Sequence, residues 1–254
     1  ISKRKNPVSL IWYKEEGYLK EGLVNFLGLM GYSYGDGQEI FSLQEFKDNF
    51  NIDKVTLGGP VFDLVKLGWV NNQHMKMKDL GELTRLTIPF FVQEGYFENE
   101  NVSEKEFETL KKIVAIEREG AKTLKEIAKN SEFFFIDEFT LPEVKEDMDK
   151  KERKSIEKLL NSLQDEVGLK AIKLLIDKLE KWESNEFTAE EAKDLLHSLL
   201  DDLQEGPGKV FMPIRAVLTG EPKGADLYNV LYVIGKERAL KRIKDTVKKY
   251  NIGL

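Results

Sequence analysis

Apolar residues recur at three- and four-residue spacing along most of the chain, the period of helices that bury one face. Over residues 17–31, Leu19, Leu23, Val24, Phe26, Leu27 and Met30 form such a stripe before Gly31 ends it, which predicts an amphipathic helix. Ser42-Leu43-Gln44-Glu45 opens another. Its hydroxyl can accept from the third helical N–H while the carboxylate reaches back, a capping box, and Phe46 and Phe50 follow on one face. The run from Gly58 to Trp69 reads as a turn and a short apolar stretch that leads into a further helix, with its hydrophobics in the core.

From about Asn99 glycine becomes sparse, charge density rises and helical periodicity dominates to the end, which places a boundary there. Ser103 and Glu106 form a second capping box, backed by Phe107, Leu110, Ile113 and Val114. Gly120 punctuates the helix, and Thr123-Leu124-Lys125-Glu126 restarts one with the same capping chemistry. Phe133-Phe134-Phe135 reads as core rather than as a base-stacking platform, since in a helix three consecutive rings point around much of the circumference. Between Glu138 and Lys158 the charges are dense and mixed, the pattern of a solvated helix face rather than a binding patch. Helices resume around 155–181, and Thr188-Ala189-Glu190-Glu191 caps another. Gly206-Pro207-Gly208 is a break, followed by an apolar helix from Val210 to Leu218 that carries Arg215, and by the last helices from Ala225 to Tyr250.

A chain of 254 residues can bury roughly 70–75% of its unfolded surface without staples. It has no cysteine, so neither a disulfide scaffold nor a Cys-ligated zinc is available. His74 and His197 have no partner at metal spacing and read as surface or half-buried side chains, so no metal site is expected. No apolar stretch approaches 18 residues, and the composition is that expected of a soluble, cytoplasmic protein without membrane contact. The net charge of −6 hides an uneven distribution: residues 206–254 hold ten Lys or Arg against four Asp or Glu. That basic tail reads either as a surface for a phosphate backbone or as a Lys-rich solvated helix. At the other end, Ile1-Ser2-Lys3-Arg4 before a Lys-Asn-Pro turn reads either as a phosphate-seeking loop or as an ordinary basic turn.

Several separated runs carry a family resemblance. Gly17-Tyr18-Leu19-Lys20-Glu21-Gly22-Leu23-Val24-Asn25-Phe26-Leu27, Gly58-Gly59-Pro60-Val61-Phe62-Asp63-Leu64 with Lys66-Leu67-Gly68-Trp69-Val70-Asn71, Val210-Phe211-Met212-Pro213-Ile214-Arg215-Ala216-Val217-Leu218-Thr219-Gly220, and Ile234-Gly235-Lys236-Glu237-Arg238-Ala239 together resemble bacterial glutamyl-tRNA synthetases over essentially the whole chain. Ile1-Ser2-Lys3-Arg4 is similar to the tail of the Lys-Met-Ser-Lys-Ser signature of class I aminoacyl-tRNA synthetases. The family's first half, with its His-Ile-Gly-His motif and amino-acid pocket, has no counterpart in these residues. Glutaminyl-tRNA synthetases resemble the chain poorly, because they carry β-barrels where this sequence has helical periodicity.

The resemblance implies a mainly α fold, with a stem-contact domain at 1–99 and a helical anticodon-binding domain at 100–254, in subdomains of about 100–184 and 185–254. It implies the tRNA-binding portion of a glutamate–tRNA ligase, which uses ATP and Mg2+ to form glutamyl-adenylate. This chain alone is expected to be inactive and to hold neither. Lys3 would be catalytic, meeting charge on the departing pyrophosphate, with Ser2 and Arg4 as ATP-binding neighbours. Arg215 resembles the arginine that meets the first anticodon base, with Leu227 as a nearby apolar contact; a guanidinium in an apolar helix is served equally by a structural salt bridge. Gly120 stands where many relatives place an arginine associated with the third anticodon base. Its absence implies an enzyme that charges both glutamate and glutamine tRNAs, with a tRNA-dependent amidotransferase downstream. A left-handed helix C-cap would explain the same glycine. The partners expected are therefore tRNA, glutamate and ATP, with the enzyme a monomer. The alternative is a stand-alone RNA-binding or interaction module that shares the fold without catalysis. Against that module stands the beginning of the chain inside a catalytic loop, as a cut after a preceding lysine would leave it.

Overall fold

The computed structural model describes residues 9–32, 37–55, 58 and 61–254. Among them lie thirteen α-helices and one short 3₁₀ turn, and no β-strand beyond an isolated bridge between Tyr32 and Val55. The chain divides into two compact units, Ile1–Ser131 and Glu132–Leu254.

The first unit comprises α1 (Leu10–Glu15), α2 (Lys20–Leu29), α3 (Leu43–Asn49), α4 (Leu64–Met77), α5 (Leu80–Gln93), α6 (Glu104–Glu117) and α7 (Leu124–Asn130). Tyr13, Phe26, Phe62, Leu67 and Val70 form its first core cluster, with Phe26 and Phe62 edge to face at 5.0 Å. Val61 and Val65, expected inside, are exposed instead, on either side of buried Phe62 and of Asp63, which caps α4. α6 and α7 pack on α5, so the unit continues past Asn99.

The capping boxes at Ser42/Glu45, Ser103/Glu106 and Thr188/Glu191 form as the spacing predicts. At Thr123 only half of one forms. The hydroxyl accepts from Glu126 N at 3.2 Å, but the Glu126 carboxylate accepts from Lys122 N, one residue earlier. His74 is buried rather than half-exposed. Its Nε2 lies 2.8 Å from Asn25 Oδ1, which also accepts from Phe41 N, while Asn25 Nδ2 donates to Glu39 O. That orientation makes Nε2 the protonated nitrogen, and burial holds the imidazole below its ordinary pKa. His197 is exposed.

The second unit contains α8 (Glu132–Phe135), α9 (Lys150–Ser162), α10 (Glu166–Lys181), α11 (Ala189–Leu203), α12 (Pro207–Thr219) and α13 (Leu227–Lys249). α12 is its centre, packing on α9, α10 and α13. Of the three phenylalanines only Phe134 is fully buried. Residues 138–149 are not helical, because Pro142 removes a donor and disfavours helix at the residue before it, and Asp149 starts α9 by accepting from Lys151 N and Glu152 N.

α13 is broken at Gly235, whose φ of 73° and ψ of 175° are accessible almost only to glycine. Asn185 fills the break: its carbonyl accepts from Lys236 N at 2.8 Å and its Oδ1 from Glu237 N at 2.9 Å, while Lys236 Nζ donates to Trp182 O. A Cβ at Gly235 would stand 2.7 Å from Asn185 O. Gly235→Ala should therefore lower stability by about 1–3 kcal/mol, read as a drop of several degrees in the melting temperature. An unchanged melt would mean that α13 re-forms through the break.

Candidate nucleic-acid interface

Ser2, Lys3 and Arg4 lie outside the described residues. The remaining sequence-predicted positions fall in two separate places, Gly120 in the first unit and Arg215 with Leu227 in the second.

Gly120 follows α6 in the loop 118–122, which is fixed from α4 by two asparagines. Asn72 Nδ2 donates to the carbonyls of Arg118 and Ala121 at 2.8 and 2.7 Å, and Asn71 Nδ2 donates to Lys122 O at 2.7 Å. Asn71 Oδ1 accepts from Leu19 N, and a Cβ on Gly22 would come within 2.5 Å of it, so glycine there permits α2 to approach α4. The loop is thus bonded through its own carbonyls to a buried helix. Gly120 itself is exposed, is not among the residues with positive φ, and would carry a Cβ into open space. The left-handed C-cap reading does not describe it; Arg118 occupies the cap with ordinary helical angles. Next to it, burial raises the Glu117 carboxyl to about 7.

Arg215 lies on α12, half-buried, and makes no ion pair among the described residues. Its Nη2 donates to Ala225 O at 2.9 Å, which ties α12 to the loop 220–226. Burial lowers its pKa, opposed by the Asp226 carboxylate. One carbonyl engages one of five guanidinium N–H groups, so donors remain for a further acceptor. Leu227, the first residue of α13, is 4% exposed and belongs to the core rather than to the surface expected for a base contact. It anchors the far end of the loop that Arg215 holds.

A polar centre between the end of α12 and the turn after α8 was not legible in the sequence. Arg242 is 1% exposed, and its guanidinium donates to Ile136 O at 2.6 Å, Leu218 O at 3.2 Å and Asp137 Oδ1 at 3.3 Å. Arg238 donates to the same Oδ1 at 2.7 Å and to Phe134 O. Burial, and next the Arg238 charge, pull Arg242 down to about 10 against the stabilising pull of Asp137. Burial pushes the Asp137 carboxyl up, but hydrogen bonding and charge from Arg238 and then Arg242 outweigh it and leave it low. The centre's one signal in the sequence is Arg238 within the run Ile234–Ala239.

Among the described residues no group of three His, Asp or Glu stands close enough to hold a metal, and no helix is long and apolar enough to cross a membrane.

Comparison with known proteins matches residues 82–247 to the family described as "Anticodon binding domain" and residues 1–69 to "tRNA synthetases class I (E and Q), catalytic domain". The chain is 89% identical over 254 residues to a glutamate–tRNA ligase of Fusobacterium nucleatum, covering all of this chain and 50% of that protein. It is 37% identical over 246 residues to the glutamate–tRNA ligase of Thermus thermophilus, covering 96% and 47% respectively. A crystal structure of a glutamate tRNA ligase from Elizabethkingia meningosepticum in complex with its amino acid superposes with a TM-score of 0.72 at 28% identity, over 93% of this chain and 42% of that one. The chain spans about half the length of the curated relatives it matches.

Asp137→Asn should destabilise the second unit by about 1–3 kcal/mol at neutral pH, between the value of an exposed pair and the cost of breaking a buried one, because Asp137 is itself 37% exposed. The carboxylate's pKa is lowered on folding, so its contribution is present above the unfolded value near 3.9 and is lost as pH falls through the folded value. Urea titrations of both proteins should therefore converge in acid. A gap that stays constant below pH 4 would contradict the assignment.

Proposed function

Because the chain belongs to the anticodon binding domain family, we propose that it is the tRNA-binding part of a glutamate–tRNA ligase, an enzyme that activates glutamate with ATP and transfers it to tRNA. The observation that carries this reading is similarity along the entire chain to a glutamate–tRNA ligase. It is supported by an all-helical second unit centred on the Arg215-bearing helix. No observed feature favours a stand-alone module.

Within this reading residues 1–99 brace the inner corner of the L-shaped tRNA and residues 100–254 meet the anticodon. Ser2, Lys3 and Arg4 belong to the loop that closes over ATP, used with Mg2+, and Lys3 stabilises the leaving pyrophosphate. The enzyme works as a cytoplasmic monomer. Arg215 offers its free donors to the first anticodon base, supported by the loop from Ala225 to Leu227. Gly120 presents no side chain to the third, so glutamine tRNA is charged as well and a tRNA-dependent amidotransferase converts the product.

In pyrophosphate exchange the chain alone should show no activity, and robust exchange would overturn the division of labour. Lys3→Ala in the whole enzyme should lower the activation rate strongly with little change in fold, because the charge it meets peaks in the transition state. Arg215→Ala should weaken tRNA binding by about 1–3 kcal/mol and relax preference at one base. Equal weakening for all tRNAs, with a lowered melting temperature, would reduce Arg215 to a tie for the loop 220–226.

The test of relaxed specificity is glutamylation of purified glutamate and glutamine tRNAs by the whole enzyme. Gly120→Arg should create a preference for glutamate tRNA at little cost in stability, since the added side chain enters open space. A preference of several hundred-fold already present in the unaltered enzyme would end the idea.

A further inference from the structure

Pairing inside the second unit leaves four free lysines together on one helix. Of the ten Lys and Arg in residues 206–254, Lys223 and Lys248 alone make no hydrogen bond or ion pair through their side chains among the described residues; the others are held by carbonyls or carboxylates of this unit. The basic tail is therefore mostly spent on structure. On α9 the opposite holds: Lys150, Lys151, Lys154 and Lys158 are exposed and have no such partner among the described residues.

The mixed charges of the α9 sequence separate once it is coiled. At about 100° per residue the four lysines fall within an arc of about 100° centred opposite the buried Ile156. Glu157 stands at the edge of that arc, and Glu152 lies toward the buried side. Lys150, Lys154 and Lys158 follow one another at intervals of about 6 Å along the axis.

The face also has a fixed relation to the Arg215 loop. α9 runs antiparallel to α12: Lys158 Nζ stands 3.9 Å from the position of a Cβ on Gly208, in the first turn of α12, while Asp149 at the start of α9 feels the charge of Lys223, just beyond the end of α12. Lys223 belongs to the same loop 220–226 whose Ala225 carbonyl Arg215 engages. The row of ammonium groups thus begins beside that loop and extends along α9.

We propose that this face of α9, continued by Lys223, holds the phosphate backbone of the tRNA whose bases meet the Arg215 loop. The inference rests on the anticodon-binding reading and adds to it the surface that carries the salt-dependent part of the affinity. Lysines suit this task because phosphate neutralisation needs mobile point charges rather than a fixed geometry, and each contact releases condensed counterions.

The experiment measures binding of purified glutamate tRNA and an unrelated tRNA to the 254-residue chain over a range of salt concentrations. In the triple variant Lys150→Gln, Lys154→Gln, Lys158→Gln the slope of log K against log salt should fall by about 2–3 for both tRNAs. Lys154→Gln alone should lower it by about 1, and replacing all three by arginine should retain it. A control with the same charge change elsewhere, Lys170→Gln, Lys173→Gln, Lys193→Gln, should change the slope far less. Three outcomes overturn the proposal: a triple variant with the original slope, an equal loss in the control, or an acidic polypeptide that displaces the tRNA at equal charge concentration. If the unaltered chain bound no tRNA at all, the anticodon-binding reading would fail and this surface with it. Binding that is unchanged by the triple variant would remove the surface alone.

Discussion

A chain built from helices must satisfy the four amide hydrogens left open where each helix starts and the four carbonyls left open where it ends, and a buried joint cannot leave that to water. This constraint sets which polar residues enter the two cores. At the joint between α6 and α7 the open carbonyls of Arg118, Ala121 and Lys122 are met by Asn71 and Asn72. At the end of α12 and the turn after α8, the carbonyls of Leu218, Ile136 and Phe134 are met by Arg242 and Arg238. At the break in α13 the amides of Lys236 and Glu237 are met by Asn185. Each case couples a loop to a helix distant in sequence through a geometry that few other residues could supply.

The candidate interface depends on the same joints. The loop that carries Gly120 is held by the asparagine pair rather than by its own conformation, so position 120 is free of any backbone requirement for glycine. The loop after α12 is held from two sides, by Arg215 on Ala225 O and by the burial of Leu227. A surface meant to meet flexible single-stranded bases gains from such anchoring, because the entropy of ordering is then lost on folding rather than on binding. Asp137 serves this indirectly. By accepting from both Arg238 and Arg242 it permits two cations to sit at the end of α12 without leaving either unpaired.

Much of the fold was legible in the sequence because its signals are local. The boxes at Ser42, Ser103 and Thr188 need only four residues, and all three form. At Thr123 the same spacing gives half a box, because Glu126 turns to the amide of Lys122 within the loop fixed by Asn71. The exposure of Val65 at 71% and the burial of His74 were not legible, since each depends on what another segment places opposite. Arg242 illustrates the limit most clearly. In sequence it is one basic residue in a basic tail, and only the convergence of Ile136, Leu218 and Asp137 makes it a core residue.

Charge shows the same limit with a consequence for binding. Counting along the chain points to residues 206–254 as the positive surface, yet a cation paired with a carboxylate contributes little potential to an approaching polyanion, and one held by a carbonyl keeps its charge but is less free to reach a phosphate. The helix from Lys150 to Ser162 sets five Lys or Arg against Glu152 and Glu157, and reading it in order as one more stretch of mixed charge is misleading for a periodic reason. Residues adjacent in sequence lie 100° apart on the helix, so alternating signs along the chain can resolve into faces of one sign. The available positive field is therefore set by coiling and pairing together. Here both act in the same direction, withdrawing charge from the tail and gathering it on α9 beside the loop that Arg215 secures.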